Sequence, residues 1–190
     1  GGAESVHSVF VNGQHAGYGT DSRLASEYDI TAHLTSGTNS IAIVVSRFSA
    51  QSHVEDQDQW WMAGLHREVH VRAEAAVHIA DVRIDAGLRG DNSTGTLRVT
   101  TRVETNDGAP MPRGWTTRVE VSSSDDKVVF AGSADIPAET WAYVFAGHDA
   151  IVESDVPRVK PWSAEQPHRY LVTVTLVDDK GREAETVRQW

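Results

Sequence analysis

The sequence predicts an all-β protein built of sandwich-like units, and three observations carry that expectation. No apolar pattern of helical period is sustained for more than a turn or two anywhere in the 190 residues. Short segments in which β-branched and polar residues alternate recur along the chain, as from Thr96 to Val103, where Leu97, Val99, Thr101 and Val103 share one face. Turn signals separate them, among them Asn12-Gly13, Ser36-Gly37-Thr38-Asn39, Asp91-Asn92-Ser93-Thr94-Gly95 and Asp178-Asp179-Lys180-Gly181.

In chain order, Ser8-Val9-Phe10-Val11 runs into Asn12-Gly13, both of which accept the positive φ of a type I′ hairpin turn, and Gln14 to Gly19 returns. Gly17 and Gly19 within that returning strand predict a bulge, or a place where another backbone or a ligand comes close. Asp21 to Leu24 begins an irregular connection, Glu27 to Ile30 is extended, and Thr31 to Leu34 suits one helical turn capped by Asp29 or Thr31. Ile41 to Phe48 is apolar through its centre, which predicts a strand buried on both faces. A long loop follows, acidic first (Glu55, Asp56, Asp58) and aromatic second (Trp60, Trp61). Two adjacent tryptophans are costly to leave in water, so this loop is expected to be covered by another surface. Glu68 to Arg72 then alternates valine with polar residues, as a strand does.

The rhythm changes near Glu74-Ala75-Ala76, which divides the chain into expected domains at 1–73 and 74–190. Strands are expected at Val77 to Ile84 and Thr96 to Val103, and as a hairpin of Trp115 to Val121 with Lys127 to Phe130. Further strands are expected near Trp141 to Phe145, from Leu171 to Val177, and from Arg182 onward. About seven short strands separated by turns suit an immunoglobulin-like sandwich, here without the disulfide because the chain has no cysteine.

Composition narrows the function. Charged residues make up 23% and hydrophobic ones 39%, as in folded chains. The net charge of −10, with no basic stripe, argues against nucleic acid as a partner. Without cysteine there are no thiolate metal sites, and a reducing, cytoplasmic location fits. No apolar run approaches the roughly 18 residues of a membrane span, and no signal peptide is read at the N-terminus, so no membrane partner is expected.

Three motifs bring a family into view. Val11-Asn12-Gly13 continues to Gly17-Tyr18-Gly19, then to Asp21-Ser22-Arg23-Leu24 and Ser26-Glu27-Tyr28-Asp29-Ile30. Glu55-Asp56-Gln57-Asp58 precedes Trp60, Met62, Gly64-Leu65 and Arg67, and Pro161-Trp162-Ser163-Ala164-Glu165 precedes Pro167 and Tyr170. In this order they resemble the bacterial β-galactosidases of glycoside hydrolase family 2. Trp61 stands where that pattern has arginine, and Ala63 where it has serine. The resemblance implies the second half of a jelly-roll sugar-binding domain over 1–73 and an immunoglobulin-like domain over 74–190. In such enzymes a (β/α)8 barrel follows and carries both catalytic glutamates of a retaining mechanism. The expectation is therefore a non-catalytic portion of a β-galactosidase-like enzyme, with the barrel as its partner domain and a homo-oligomer possible. A half jelly roll alone would expose sheet edges, and would be unstable or pair with another copy. A stand-alone carbohydrate-binding or adhesion module of two β-sandwiches is the alternative.

The resemblance singles out Asp21. In these enzymes the matching aspartate reaches into the active site, binds galactosyl hydroxyls and helps hold a sodium ion; sodium and magnesium are thus the implied cofactors of the complete enzyme. A carboxylate suits both tasks, as a strong acceptor from hydroxyls and a hard ligand for a hard cation. Read without the resemblance, Asp21 is an Asx-turn residue. No residue of this chain is assigned a catalytic role. Glu55, Asp56 and Asp58 cluster beside aromatics, but a glycosidase needs two carboxylates about 5 to 10 Å apart in a cleft, and an interface-facing turn is the expectation. Trp60 and Trp61 could stack on a sugar ring, though interface packing is favoured, and Arg67 is expected to anchor the loop by pairing with a carboxylate. His66 and His70 have helical metal-pair spacing, yet in a strand four residues span about 13 Å, too far to share an ion.

Overall fold

A computed structural model describes the chain except for Asp56, Gln57, Gln59, Ala63, residues 141–146 and the side chain of Asp107. It divides into two compact units, Gly1–Arg72 and Ala73–Trp190.

In the first unit, strand β1 (Ala3–Glu4) pairs antiparallel with β5 (Gly64–Leu65). A second sheet has β2 (Val6–Val11) at its centre, flanked by β3 (Gln14–Thr20) and β4 (Ile41–Ser46), all antiparallel. Asn12 and Gly13 take φ of 52° and 81°, the turn their sequence demands, and Val11 pairs with Gln14 across it. The register slips once, between Val9 and Phe10, leaving Ala16 as the extra residue of a bulge. Thr31–His33 forms a 3-10 turn whose start is held by Asp29, with Oδ1 accepting from the Thr31 amide at 2.9 Å. One four-residue helical turn, α1 (Ser52–Glu55), opens the long loop.

Two strand expectations need correction here. β4 is not buried on both faces: it pairs only with β2, and Ile41, Val44 and Phe48 are exposed. A continuous apolar run signals two covered faces, and the described residues supply no layer for the second. Glu68 to Arg72 forms no ladder, and Val69 and Val71 are exposed, because alternation becomes a strand only where a neighbouring strand accepts its hydrogen bonds. Ala3, Val9 and Val11 are the buried apolar side chains of this unit among the described residues.

Among the described residues the second unit is a two-sheet sandwich of seven strands. One sheet orders β10 (His148–Val156), β7 (Gly95–Thr105) and β6 (Val77–Leu88). The other orders β12 (Glu183–Gln189), β11 (Tyr170–Val177), β8 (Thr116–Ser123) and β9 (Val128–Asp135). Every pairing is antiparallel. Leu97, Val99 and Val103 of β7 meet Val119 and Val121 of β8 and Val172, Val174 and Leu176 of β11 in a continuous apolar core. On the solvent face, β7 and β10 place Arg98 opposite Glu153 and Arg102 opposite Asp149, each pair at 2.9 Å. Such solvent-facing pairs add little stability but favour this register over a slipped one. The expected strand at Trp141 to Phe145 lies outside the described residues.

Candidate functional site

β3 ends at Thr20, and the chain reverses at Asp21, whose φ of 86° lies in the left-handed region. Its Oδ1 accepts from the backbone amides of Arg23 at 2.8 Å and Leu24 at 3.0 Å, the geometry of an Asx turn. The Arg23 amide first, and the Leu24 amide second, hold this carboxyl below the usual carboxylate range. Asp21 is therefore an ionised, partly exposed oxygen donor at physiological pH.

Beneath it the loop is held by two acids that the sequence reading passed over in this role. Ser22 is 2% exposed, and both its backbone N–H and its hydroxyl donate to Glu55 Oε2, at 3.1 and 2.5 Å. Glu4, also buried, accepts from the Met62 amide at 2.8 Å and lies 3.6 Å from the Arg23 guanidinium. Glu4 and Glu55 line one cleft with Ser22, Arg23, Arg47 and Trp61, but its volume of about 20 Å³ admits a water and not a sugar ring. Two carboxylates do share a cleft, yet both are spent on the backbone of neighbouring loops.

The glycines of β3 are explained by packing. A Cβ on Gly17 would lie 2.6 Å from the Tyr28 ring, and one on Gly19 would lie 2.5 Å from the His7 ring. The close neighbours are thus side chains of the same unit.

The remaining candidates are dispersed. In the acidic cluster Glu55 turns inward to Ser22, Asp58 is exposed, and Asp56 lies outside the described residues. Arg67 forms no ion pair among the described residues, and its stem packs beside Gly2; the loop is anchored instead through Glu4. Trp60 is 89% exposed, while Trp61 meets Phe48 edge to face at 5.6 Å. His66 follows β5 directly, and among the described residues no three His, Asp or Glu side chains converge on a metal site. A groove along β6, β7 and β10 is lined by Arg89, Arg98, Glu153 and Asp155, whose charges pair with one another. A signal for the Glu4 and Glu55 anchors could have been sought in short-range polarity, but nothing in the sequence says which distant backbone a glutamate will meet.

Two tandem all-β units, the second a sandwich of seven strands among the described residues, define the class by fold. The family model for the sugar binding domain of glycosyl hydrolases family 2 matches residues 1–74, and the model for glycosyl hydrolases family 2 matches residues 77–189. The chain belongs to glycosyl hydrolases family 2. It is 33% identical to a beta-galactosidase of Aeromonas hydrophila subsp. hydrophila, over 97% of this chain and 18% of that protein. It is 32% identical to a beta-galactosidase of Pectobacterium atrosepticum, over 95% of this chain and 17% of that protein. The chain thus spans under a fifth of the length of these curated relatives. Among solved structures, a Bacteroides uniformis beta-glucuronidase matches with a TM-score of 0.82 at 18% identity, over 98% of this chain and 23% of that one. A family 2 member from Bacteroides cellulosilyticus matches with a TM-score of 0.81 at 14% identity, over 99% of this chain and 24% of that one. At such identities the likeness establishes the all-β fold alone.

Proposed function

We propose that this chain forms the sugar-binding and immunoglobulin-like domains of a longer β-galactosidase-like hydrolase, with Asp21 contributed to the galactosyl site. The observation that carries the reading is the match to beta-galactosidases along both units, at 32–33% identity over 95–97% of the chain. In this reading a catalytic barrel elsewhere in the longer protein cleaves terminal β-galactosides, and the chain itself supplies scaffold and one substrate contact.

Asp21 fits the sugar-contacting role through its chemistry. It is an ionised oxygen donor at a loop apex, held in place by amides on Oδ1. It also fits sodium as one hard oxygen ligand. Because no group of three or more acids or histidines that could hold a metal is found among the described residues, the remaining ligands would come from elsewhere in the longer protein. Magnesium, implied by the same resemblance, finds no acidic cluster among the described residues either.

The test compares the 190-residue chain with the longer protein on a chromogenic β-galactoside. The expected result is buffer-level turnover for the chain and hydrolysis by the longer protein. Turnover by the chain that survives repurification and is lost with Glu4→Gln or Glu55→Gln would overturn the reading. A longer protein that hydrolyses a β-glucuronide and not a β-galactoside would overturn the substrate class.

A further inference from the structure

We infer that Glu55 is a positioning residue for Asp21: by clamping Ser22 it holds the adjacent carboxylate where a galactosyl hydroxyl meets it. The inference rests on the sugar-contacting role given to Asp21 above. The Asx turn at Asp21 is entirely local, made with residues two and three positions on, and does not by itself fix the loop against the rest of the unit. Its φ of 86° is a left-handed value that aspartate tolerates through such local bonds, so the placement of the loop is left to contacts from further along the chain.

Glu55 supplies such a contact. It is 33 residues away in sequence, and a single carboxylate oxygen takes both donors of Ser22, main chain and side chain. Two donors from one residue, its main-chain N–H and its hydroxyl, fix its orientation as well as its position, and Ser22 is buried, so water does not compete. With Ser22 fixed, the peptide before it and the amide after it are aimed, and these set the direction of the Asp21 side chain. Arg23, on the other side, lies against Glu4. The Asp21 carboxylate is thus partly exposed at the apex while its two C-terminal neighbours are tied to Glu55 and Glu4.

Glutamine at position 55 keeps an oxygen able to accept both donors, whereas alanine removes it. The experiment follows amide hydrogen exchange by NMR in the 190-residue chain, as wild type, Glu55→Gln and Glu55→Ala. The Arg23 and Leu24 amides, which donate to Asp21 Oδ1, report whether the turn stays aligned. The expected result is wild-type exchange at both in Glu55→Gln and exchange about tenfold faster or more in Glu55→Ala. A folded alanine variant with wild-type exchange at both amides overturns the inference. Should the alanine variant unfold the first unit, Ser22→Ala, which removes only the hydroxyl donor, is expected to speed the same two amides, and no change overturns the inference. The two readings fail separately: normal kcat/KM for Asp21→Asn in the longer enzyme would sink the sugar contact, whereas unchanged exchange sinks the clamp.

Discussion

The Tyr28 hydroxyl lies 2.8 Å from His7 Nε2, with the two rings edge to face at 80°. That contact closes over Gly17 and Gly19, whose lack of side chains lets the Tyr28 ring lie against β3. Alanine at Gly19 would place a methyl 2.5 Å from the His7 ring and 2.7 Å from the Tyr28 hydroxyl, so the pair must separate. Gly19→Ala is expected to destabilise the first unit by about 1–3 kcal/mol. Gly90→Ala, with nothing within 4 Å, serves as the control and should change little. Urea midpoints of both variants check this, and equal midpoints would refute it.

His7 also gives the first unit a pH dependence. Burial lowers its pKa below the ordinary 6.5, so the unfolded chain binds a proton more readily than the folded one. Its stabilising contribution is present above pH 6.5 and is lost as pH falls through that value toward the lower folded pKa. Urea midpoints at pH 8 and pH 5 are expected to differ less in His7→Gln than in wild type. Identical pH dependence in the two proteins would exclude His7 as the cause.

The two units should differ in stability. The buried apolar cluster lies wholly in the second unit, whereas the first buries few apolar side chains and leaves Val44, Phe48 and Val54 exposed. With roughly 25 cal/mol gained per Å² of apolar surface removed from water, the first unit has far less to hold it. Amides of β2 and β4 are expected to exchange through lower-energy openings than those of β7, β8 and β11. A single common opening energy would show that the units unfold as one.

Thr101 and Thr117 are fully buried in the sandwich, and neither hydroxyl has a hydrogen-bond partner among the described residues. Valine has nearly the same shape and removes the unsatisfied group. Thr101→Val and Thr117→Val are each expected to leave stability unchanged or raise it by about 1 kcal/mol. A loss above about 1 kcal/mol in thermal unfolding would mean that the hydroxyls are satisfied by water in solution.

Asp21→Asn separates turn from site. The amide oxygen can still accept from Arg23 and Leu24, so the melting temperature should hardly change. A charge-assisted hydrogen bond is worth roughly 1.5–3 kcal/mol, so in the longer enzyme kcat/KM should fall on the order of 10- to 150-fold, with weaker activation by sodium. Lost stability with unchanged kinetics and unchanged sodium response would leave Asp21 as a turn residue only.

Much of this was legible in the residues. The alternation of Leu97, Val99, Thr101 and Val103 identified the buried face of β7, and Asn12-Gly13 identified a hairpin, because period-two burial and positive-φ turns are local properties. The motif around Asp21-Ser22-Arg23 likewise pointed to the loop that the structure shows at the end of β3. The tertiary structure alone decided that β4 lies at a sheet edge with exposed valine, and that Val69 and Val71 form no ladder, since burial and pairing depend on neighbours far along the chain. It alone brought Glu55 to Ser22, Glu4 to Met62 and Tyr28 to His7. A carboxylate in sequence is an acceptor without an address; long-range folding supplies the donor, and with it the difference between an acid in solvent and one that holds a loop in place.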